Sequence, residues 1–135
     1  MDSPFLLLVT CGRDYANRDR VFATLDAVAG KHPNITIIHG ACWQEERTKL
    51  SGADRWAQEW AQERERPYIG VPAEWLKLGK PAGPRRNGLM LHYLPNGVCA
   101  FPGQTGTQNM IDQANQAGVK VWRVDDAWCE RGMAR

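Results

Sequence analysis

The chain has 135 residues, of which 43% are hydrophobic and 24% are charged, values that are typical of a globular protein with a sizeable core. The formal net charge of +2 is too small to indicate nucleic-acid or membrane binding by charge alone. No apolar run reaches the roughly 18 residues of a membrane span. The N-terminus also lacks the positive start and cleavage site of a signal peptide. We therefore expect one cytoplasmic domain over residues 1–135 with no membrane partner.

Five short apolar runs predict β-strands. They are Phe5–Cys11, Ile35–His39, Pro67–Val71, Gly97–Phe101 and Val119–Val124. The first four are nearly continuous in apolar or small residues, which is typical of strands buried on both faces. The last run alternates apolar and polar residues, which predicts an edge strand.

Helical spacing of apolar residues predicts helices between these strands. The segments are Asp19–Lys31, Gly52–Glu65, Pro84–Leu94 and Thr107–Ala117. Tryptophan and alanine form one stripe on the second segment, which indicates core packing rather than a cofactor role. Alternation of strands and helices predicts an α/β fold. We expect a Rossmann-like three-layer sandwich, with a mainly parallel five-stranded sheet and helices on both faces.

The cysteines and histidines are widely spaced and form no metal-ligand or redox motif. They are Cys11, Cys42, Cys99, Cys129, His32, His39 and His92. We interpret Cys11 and Cys99 as small hydrophobes in strands, in a reducing compartment, and all three histidines as structural. The sequence thus predicts no metal and no cofactor.

The segment PGQTGT, residues 102–107, follows the fourth apolar run and opens a helix. Ligands of open parallel sheets bind at the carboxyl ends of the strands, where the strand order reverses. We expect the first and fourth strands to be neighbours at that point. Glycines admit a ligand close to the backbone, and N–H groups of a first helical turn favour an anion. The segment is thus either a phosphate cradle or an ordinary glycine turn with a threonine cap. Neither a Walker loop nor GxGxxG is present.

Five motifs occur in order: TCGRDY, HGA, GADRWAQEWA, GKPAGPRRNGLM and AFPGQTGT. On these motifs the chain resembles the YspA, YpsA-related branch of the SLOG superfamily, from Phe5 to about Val124. That superfamily includes the LOG phosphoribohydrolases and the DprA fold. The resemblance implies a pocket for a nucleotide or a nucleotide-derived, ADP-ribose-like ligand. The positions that match the pocket motifs are Gly12, Arg13, Gly40, Gly52, Asp54, Arg86, Asn87, Gly103, Gln104, Thr105, Gly106 and Thr107.

The sequence departs from the family pattern at two places. Residues 41–51 separate HGA from GAD, which the family joins almost directly. This insertion either forms a lid or a partner-binding surface, or is an ordinary solvent-exposed loop. The LOG enzymes carry PGGxGTxxE, whose glutamate assists cleavage of an N-glycosidic bond, and Met110 occupies that position here. The arginine of the LOG motif is matched by Arg86.

Several charged residues have two interpretations. Arg13 either forks onto a phosphate, which the family match favours, or pairs with Asp14 on the surface. Asp14 would then orient Arg13 or bind a ribose hydroxyl. Asp54 either stabilises the start of its helix or bonds to a ribose. Two adjacent arginines do not share a helical face, so we expect Arg86 to point into the pocket and Arg85 into solvent.

We rank three functions. The first is a sensor or sequestering module that binds a phosphorylated nucleotide-derived ligand at the carboxyl ends of strands 1 and 4. The second is a LOG-like nucleoside 5′-monophosphate phosphoribohydrolase, with Arg86, Asp54 and Asp14 as catalytic candidates. Single-stranded DNA binding comes third, because the charge is low and no basic–aromatic stripe is present. Relatives pair through helices, so the resemblance also implies a homo-oligomer, a dimer or larger.

Overall fold

The computed structural model of the protein describes residues 3–12, 15–41, 52–73, 78–79 and 81–124, and it gives Ala53 by its backbone alone. Some of the sequence predictions therefore fall outside the described residues. They concern Arg13, Asp14, Cys42, Cys129 and residues 42–51 of the insertion.

The described residues form one parallel five-stranded sheet. In chain order its strands are β1 (Phe5–Thr10), β2 (Ile35–His39), β3 (Tyr68–Gly70), β4 (Gly97–Ala100) and β5 (Val121–Arg123). Their order across the sheet is β3-β2-β1-β4-β5. All the predicted strands are present, and the predicted ranges overrun them by at most two residues at either end.

The strand order reverses between β1 and β4, as predicted. β1 pairs with β2 on one side and with β4 on the other, so that Leu8 lies between Ile38 and Val98. Two backbone hydrogen bonds continue the pairing of β1 and β4 beyond the ends of the strands. Phe101 N donates to Thr10 O at 2.9 Å, and Gly12 N donates to Pro102 O at 3.0 Å. The chain segments that leave β1 and β4 are thereby held side by side.

Helices connect the strands. In the described residues they are α1 (Arg18–Lys31), α2 (Gly52–Glu63), α3 (Ala82–Leu91) and α4 (Thr105–Gln116). The side chain of Asn17 caps α1 by accepting from Arg20 N at 3.1 Å. Gly118 follows α4 with a φ of +75°, the left-handed conformation expected just beyond a helix C-terminus.

Alternate residues of β1 face opposite sides of the sheet and so enter two different cores. Leu7 and Val9 belong to a cluster that contains the buried residues of α1 and α2, including Trp60. Leu8 belongs to a second cluster, which contains Met90 of α3 and Met110 of α4. Helices thus cover both faces, which confirms the Rossmann-like α/β sandwich.

The third strand differs from the expectation of burial on both faces. β3 is an edge strand that pairs with β2 alone, and Tyr68 is 39% exposed. Its apolar composition resembles that of a central strand, but the strand order places it outermost. β5 forms the opposite edge, as its alternation predicted, with Arg123 exposed. Among the helices that the structure describes, none has the length and apolar character needed to cross a membrane.

Candidate functional site

A cleft of about 850 Å³ opens at the carboxyl ends of β1 and β4. Its described walls come from the end of β1, the turn after β2, the first turns of α2 and α3, and the loop that opens α4. The predicted binding residues that line it are Gly12, Gly40, Asp54, Arg86, Asn87, Gly103, Gln104, Thr105, Gly106 and Thr107. Gly52 is not part of the lining; it is buried and begins α2 with a φ of +59°. Arg13 lies outside the described residues.

The start of α4 presents hydrogen-bond donors to this cleft. Its N-cap residue, Gln104, makes no side-chain capping bond, and its carbonyl accepts the first helical bond from Gln108 N at 2.9 Å. The N–H groups of the first turn therefore have no acceptor within the helix. Thr107 is only 6% exposed, and its Oγ1 has no hydrogen-bond partner among the residues that the structure describes. Donors and helix dipole together favour an anion at this place.

Gly103 is required for the close packing of this loop. A Cβ at this position would overlap Thr107 Oγ1 and would lie 2.6 Å from Gly12 N, a backbone atom. The loop before α4 therefore rests directly on the segment that leaves β1. Gly106 differs, because a Cβ there would meet no atom within 4 Å.

Arg86 supplies positive charge to the cleft. It is half-buried while Arg85 is exposed, as predicted. Its Nη1 donates to Gly40 O at 2.6 Å and its Nε to Asn87 Oδ1 at 3.0 Å. A Cβ on Gly40 would overlap the guanidinium group. Glycine at position 40 thus lets the arginine of α3 reach across to the turn that follows β2.

Asn87 links α3 to α4 beneath the cleft. It is 2% exposed, and its Nδ2 donates to Gly106 O at 3.2 Å and to Asn109 Oδ1 at 3.0 Å. Asn109 Oδ1 also accepts from Gln113 Nε2 at 2.7 Å. Sequence reasoning missed Asn109, which lines the cleft, and Gln113. Their i, i+4 spacing along α4, beside its apolar stripe, was the available signal.

Two titratable side chains stand beside the turn after β2. Asp54 is 7% exposed, and its Oδ1 accepts from Gly40 N at a long 3.4 Å. His39 is 1% exposed, with Nε2 2.8 Å from Gln58 Oε1 and with Nδ1 accepting from Ala41 N at 2.9 Å. Burial lowers the pKa of His39 below its ordinary value, although the Asp54 carboxylate and the Gln58 hydrogen bond oppose this shift.

The cleft also has an apolar side that the sequence predictions did not assign. Tyr15 and Pro102 contribute accessible surface to its lining, and the buried Val9 and Met90 lie beneath it. Tyr15 is half-buried, with its ring centroid 5.6 Å from that of Phe101. The cleft therefore combines a polar, donor-rich end with a surface on which a flat aromatic group can pack.

Met110 does not line the cleft. It is fully buried beside Leu8, Met90 and Ala114 in the second core cluster. Among the described lining residues, Asp54 is the sole carboxylate. Burial raises the pKa of the Cys99 thiol to about 12, so this cysteine is not a nucleophile. Within the described residues, no cluster of three or more histidine, cysteine or acidic side chains could hold a metal ion.

Comparison with known protein families matches the part of the chain that carries several of these motifs. The sequence model of the YAcAr family, described as the YspA, cpYpsA-related SLOG family, matches residues 6–77, more than half of the chain. The match covers the motifs that follow β1 and β2 and the start of α2. It ends before α3 and the loop that opens α4. No curated protein matches the chain.

Proposed function

The chain belongs to the YspA, cpYpsA-related SLOG family, and from this premise we propose that it binds a nucleotide-derived phosphorylated ligand in the cleft. The ligand class is a nucleotide or an ADP-ribose-like molecule, held at the carboxyl ends of β1 and β4. The protein then acts as a sensor or as a sequestering module, without chemical conversion of the ligand.

The hydrogen-bond donors at the start of α4 carry this proposal. A phosphate group placed there accepts from the N–H groups of the first turn, which have no acceptor within the helix, and from Thr107 Oγ1, which is buried and has no partner among the described residues. Arg86 lies on the same cleft and adds a full positive charge. A buried hydroxyl without a partner is unfavourable, and a bound phosphate relieves that cost.

The size and the apolar side of the cleft favour a ligand larger than inorganic phosphate. A volume of about 850 Å³ lies in the range of small-molecule sites. A phosphate at the start of α4 leaves the part of the cleft beside Tyr15 and Pro102 for the remainder of the ligand. We propose that the nucleoside part of the ligand packs there.

The test combines a ligand panel with a matched pair of variants. Thermal shift and calorimetry identify the ligand from a panel of AMP, ADP, ATP, ADP-ribose, cyclic ADP-ribose, NAD and cyclic dinucleotides. Thr107→Val and Thr24→Val each remove a buried hydroxyl that has no partner, but Thr24 lies on α1 and does not line the cleft. Because an isosteric apolar side chain replaces an unbonded hydroxyl, both variants should keep wild-type stability within about 1 kcal/mol.

Only Thr107→Val should weaken ligand binding. A hydrogen bond to a charged group contributes about 1.5–3 kcal/mol, and about 1.4 kcal/mol corresponds to tenfold in affinity. We therefore expect at least a tenfold rise in Kd for Thr107→Val and no change for Thr24→Val. The proposal fails if no member of the panel binds, or if the two variants bind equally well.

Hydrolysis of an N-glycosidic bond is the second candidate, favoured by the buried Asp54 carboxylate on the cleft. In this mechanism Asp54 would stabilise a developing cation or take a proton. Each ligand that binds should be incubated and then analysed by chromatography. Intact ligand supports the binding module, whereas free base with sugar phosphate identifies a hydrolase, whose turnover Asp54→Asn should abolish.

The homo-oligomer, the single-domain organisation of residues 1–135 and the cytoplasmic location stay predictions. Leu89 and Tyr93 are 45% and 46% exposed, and Leu94, just beyond α3, is 82% exposed. These apolar side chains are consistent with association of copies through helices. Sedimentation velocity at several protein concentrations tests the oligomer.

A further inference from the structure

We propose that His39 is a positioning residue whose neutral imidazole holds the turn at Gly40 and Ala41, and through it the Arg86 guanidinium, in the ligand-binding arrangement. Protonation of His39 would then release the turn and lower ligand affinity. The inference rests on the proposed function for its effect on affinity. It adds a residue that is not part of the cleft lining and was predicted to be merely structural.

The hydrogen bonds of His39 define which nitrogen carries the proton. Ala41 N lies 2.9 Å from His39 Nδ1, and a backbone N–H can only donate. Nδ1 must therefore offer its lone pair, so the hydrogen of the neutral ring is on Nε2. That N–H points to Gln58 Oε1, 2.8 Å away. Both ring nitrogens are thus satisfied only in the neutral Nε2–H tautomer.

The imidazole is enclosed beside β3. His39 is 1% exposed, a Cβ added to Gly70 would lie 3.1 Å from His39 Cε1, and the ring of Tyr68 stacks at a centroid distance of 6.2 Å. A protonated ring in this position directs a second N–H at the N–H of Ala41.

The turn that His39 holds is connected directly to the cleft. Ala41 has a φ of +47°, a conformation that non-glycine residues seldom adopt without support. Gly40 O accepts from Arg86 Nη1 at 2.6 Å, and Gly40 N donates to Asp54 Oδ1 at 3.4 Å. When the Ala41 N–H loses its acceptor, the strained turn relaxes, and Arg86 loses the Gly40 carbonyl as one of the acceptors that orient it.

The surroundings of His39 determine the pH at which this occurs. Among the described residues, the charged or titratable groups near the ring are Asp54 on α2, Arg86 on α3 and Tyr68 on β3; Gln58 on α2 adds a hydrogen bond. Burial and the Arg86 charge lower the pKa of His39, while Asp54 and Gln58 raise it, and the net pKa is below 6.5. Ligand affinity should therefore be full at neutral pH and fall as the pH drops below 6.5 through this lower pKa.

The ligand-free protein provides the first test. We expect nitrogen NMR of the imidazoles to show His39 as the neutral Nε2–H tautomer at pH 7. On acidification, the Ala41 amide and Arg86 Nε resonances should shift with the His39 titration. His39→Asn and His92→Asn assign the histidine signals, since His92 lies at the exposed end of α3. Two results would overturn the proposal even if no ligand is known. One is an Nδ1–H tautomer of His39, and the other is that the Ala41 and Arg86 resonances do not shift as His39 titrates.

Affinity as a function of pH provides the second test, with the ligand identified by the panel or ADP-ribose as the probe. Below the His39 pKa, the wild-type Kd should rise toward a limiting slope of about tenfold per pH unit, as expected for one linked proton. His39→Asn keeps an acceptor oxygen close to the place of Nδ1 but does not titrate. It should bind within a few-fold of wild type at pH 7.5 and lose this pH dependence, whereas His92→Asn should retain it.

The outcomes separate this inference from the proposed function. If no ligand binds the wild-type protein, the proposed function fails, and the NMR titration alone decides whether His39 holds the turn. If ligand binds but His39→Asn keeps the wild-type pH dependence, the inference is wrong and the proposed function stands. If His39→Asn does not fold, the NMR titration of the wild-type protein decides.

Discussion

Gly103 and Gly106 belong to the same short segment but are glycines for different reasons. The Cα of Gly103 occupies a space bounded by Thr107 Oγ1 and Gly12 N, so that no side chain fits. Gly106 lies in the first turn of α4 with open space where a side chain would be. The first glycine is needed for the packing of the protein, whereas the second leaves open space in the first turn of α4, where we propose that the phosphate binds.

Alanine at each position should separate these two roles. We expect Gly103→Ala to destabilise the protein by about 1–3 kcal/mol, because its Cβ is forced against backbone. Gly106→Ala should be neutral or stabilising by up to about 1 kcal/mol, because alanine favours helix, yet it should weaken the ligand at least tenfold by filling the space over the N–H groups. Urea denaturation and calorimetry measure the two quantities. Unchanged affinity in Gly106→Ala would contradict a phosphate at this place.

Most of the residues recognised within motifs line the cleft, although Gly52 does not and Arg13 lies outside the described residues, and their binding roles stay predictions. Arg86 and the loop from Gly103 to Thr107 line the cleft as the motifs predicted. His39 gave no local signal, because its function depends on Gln58 and Ala41 together. Asn109 contacts Asn87, 22 positions away, and its only local signal was its i, i+4 spacing to Gln113 on α4. Motif spacing does not encode such contacts.

The helices α1 and α2 are joined by a polar contact at the margin of their apolar interface. Asp26 Oδ1 accepts from Trp60 Nε1 at 2.8 Å and from Arg64 Nε at 3.1 Å. Trp60 is fully buried, so its indole N–H depends on this carboxylate. The hydrogen bond from Arg64, opposed by some burial, lowers the pKa of Asp26 below its ordinary value of 3.8. The ionised carboxylate is therefore favoured in the folded state.

The contribution of Asp26 to stability should depend on pH. Because its pKa is lower in the folded state, the contribution is present above pH 3.8 and is lost as the pH falls through the folded value. Asp26→Asn keeps an acceptor for Trp60 but lacks the charge, so it should lower Tm slightly at pH 7, and its difference from wild type should shrink as the pH falls below 3.8. Asp26→Leu leaves the indole N–H without a partner and should lower Tm more. Thermal unfolding by circular dichroism tests the order; equal Tm values for both variants at pH 7 would refute it.

Strands were easier to predict from the sequence than their positions in the sheet. Continuous apolar runs identified β1, β2 and β4, and the ends of β2 were predicted correctly. The run that forms β3 has the same composition, yet its position at the edge follows from pairing with β2 alone. α3 was predicted to continue to Leu94, because apolar residues continue in helical spacing. The structure ends it at Leu91, and Leu94 adopts a φ of +57°.

The protein as a whole places the cleft between its two helical layers. Asp54 is on α2, which packs with α1 on one face of the sheet, whereas Arg86 and Thr107 are on α3 and α4 on the other face. Gly12 emerges between them from the central strand. A ligand that reaches both ends of the cleft would therefore contact helices from both layers.

Hydrogen exchange should reveal this bridging. With ligand at 100 times its Kd, the free energy of unfolding should rise by about 2.7 kcal/mol. Amides that exchange by local opening should slow in the first turns of both α2 and α4, while β5 and the end of α1 should keep their local rates. Mass spectrometry measures the exchange rates of the helices in each layer with and without ligand, and Thr107→Val serves as the control. Protection confined to α4 would mean that the ligand does not span the cleft.

The burial of Met110 also bears on how function can change in this scaffold. A glutamate at this position would place a carboxylate among Leu8, Met90 and Ala114, where it would have neither water nor a partner. Its pKa would rise and the carboxylate would be neutral, so the exchange would weaken the core without supplying a catalytic base. The difference from the LOG motif is therefore not reversible by one substitution. A glutamate could serve the cleft from this position only after the interior around Met110 had been repacked.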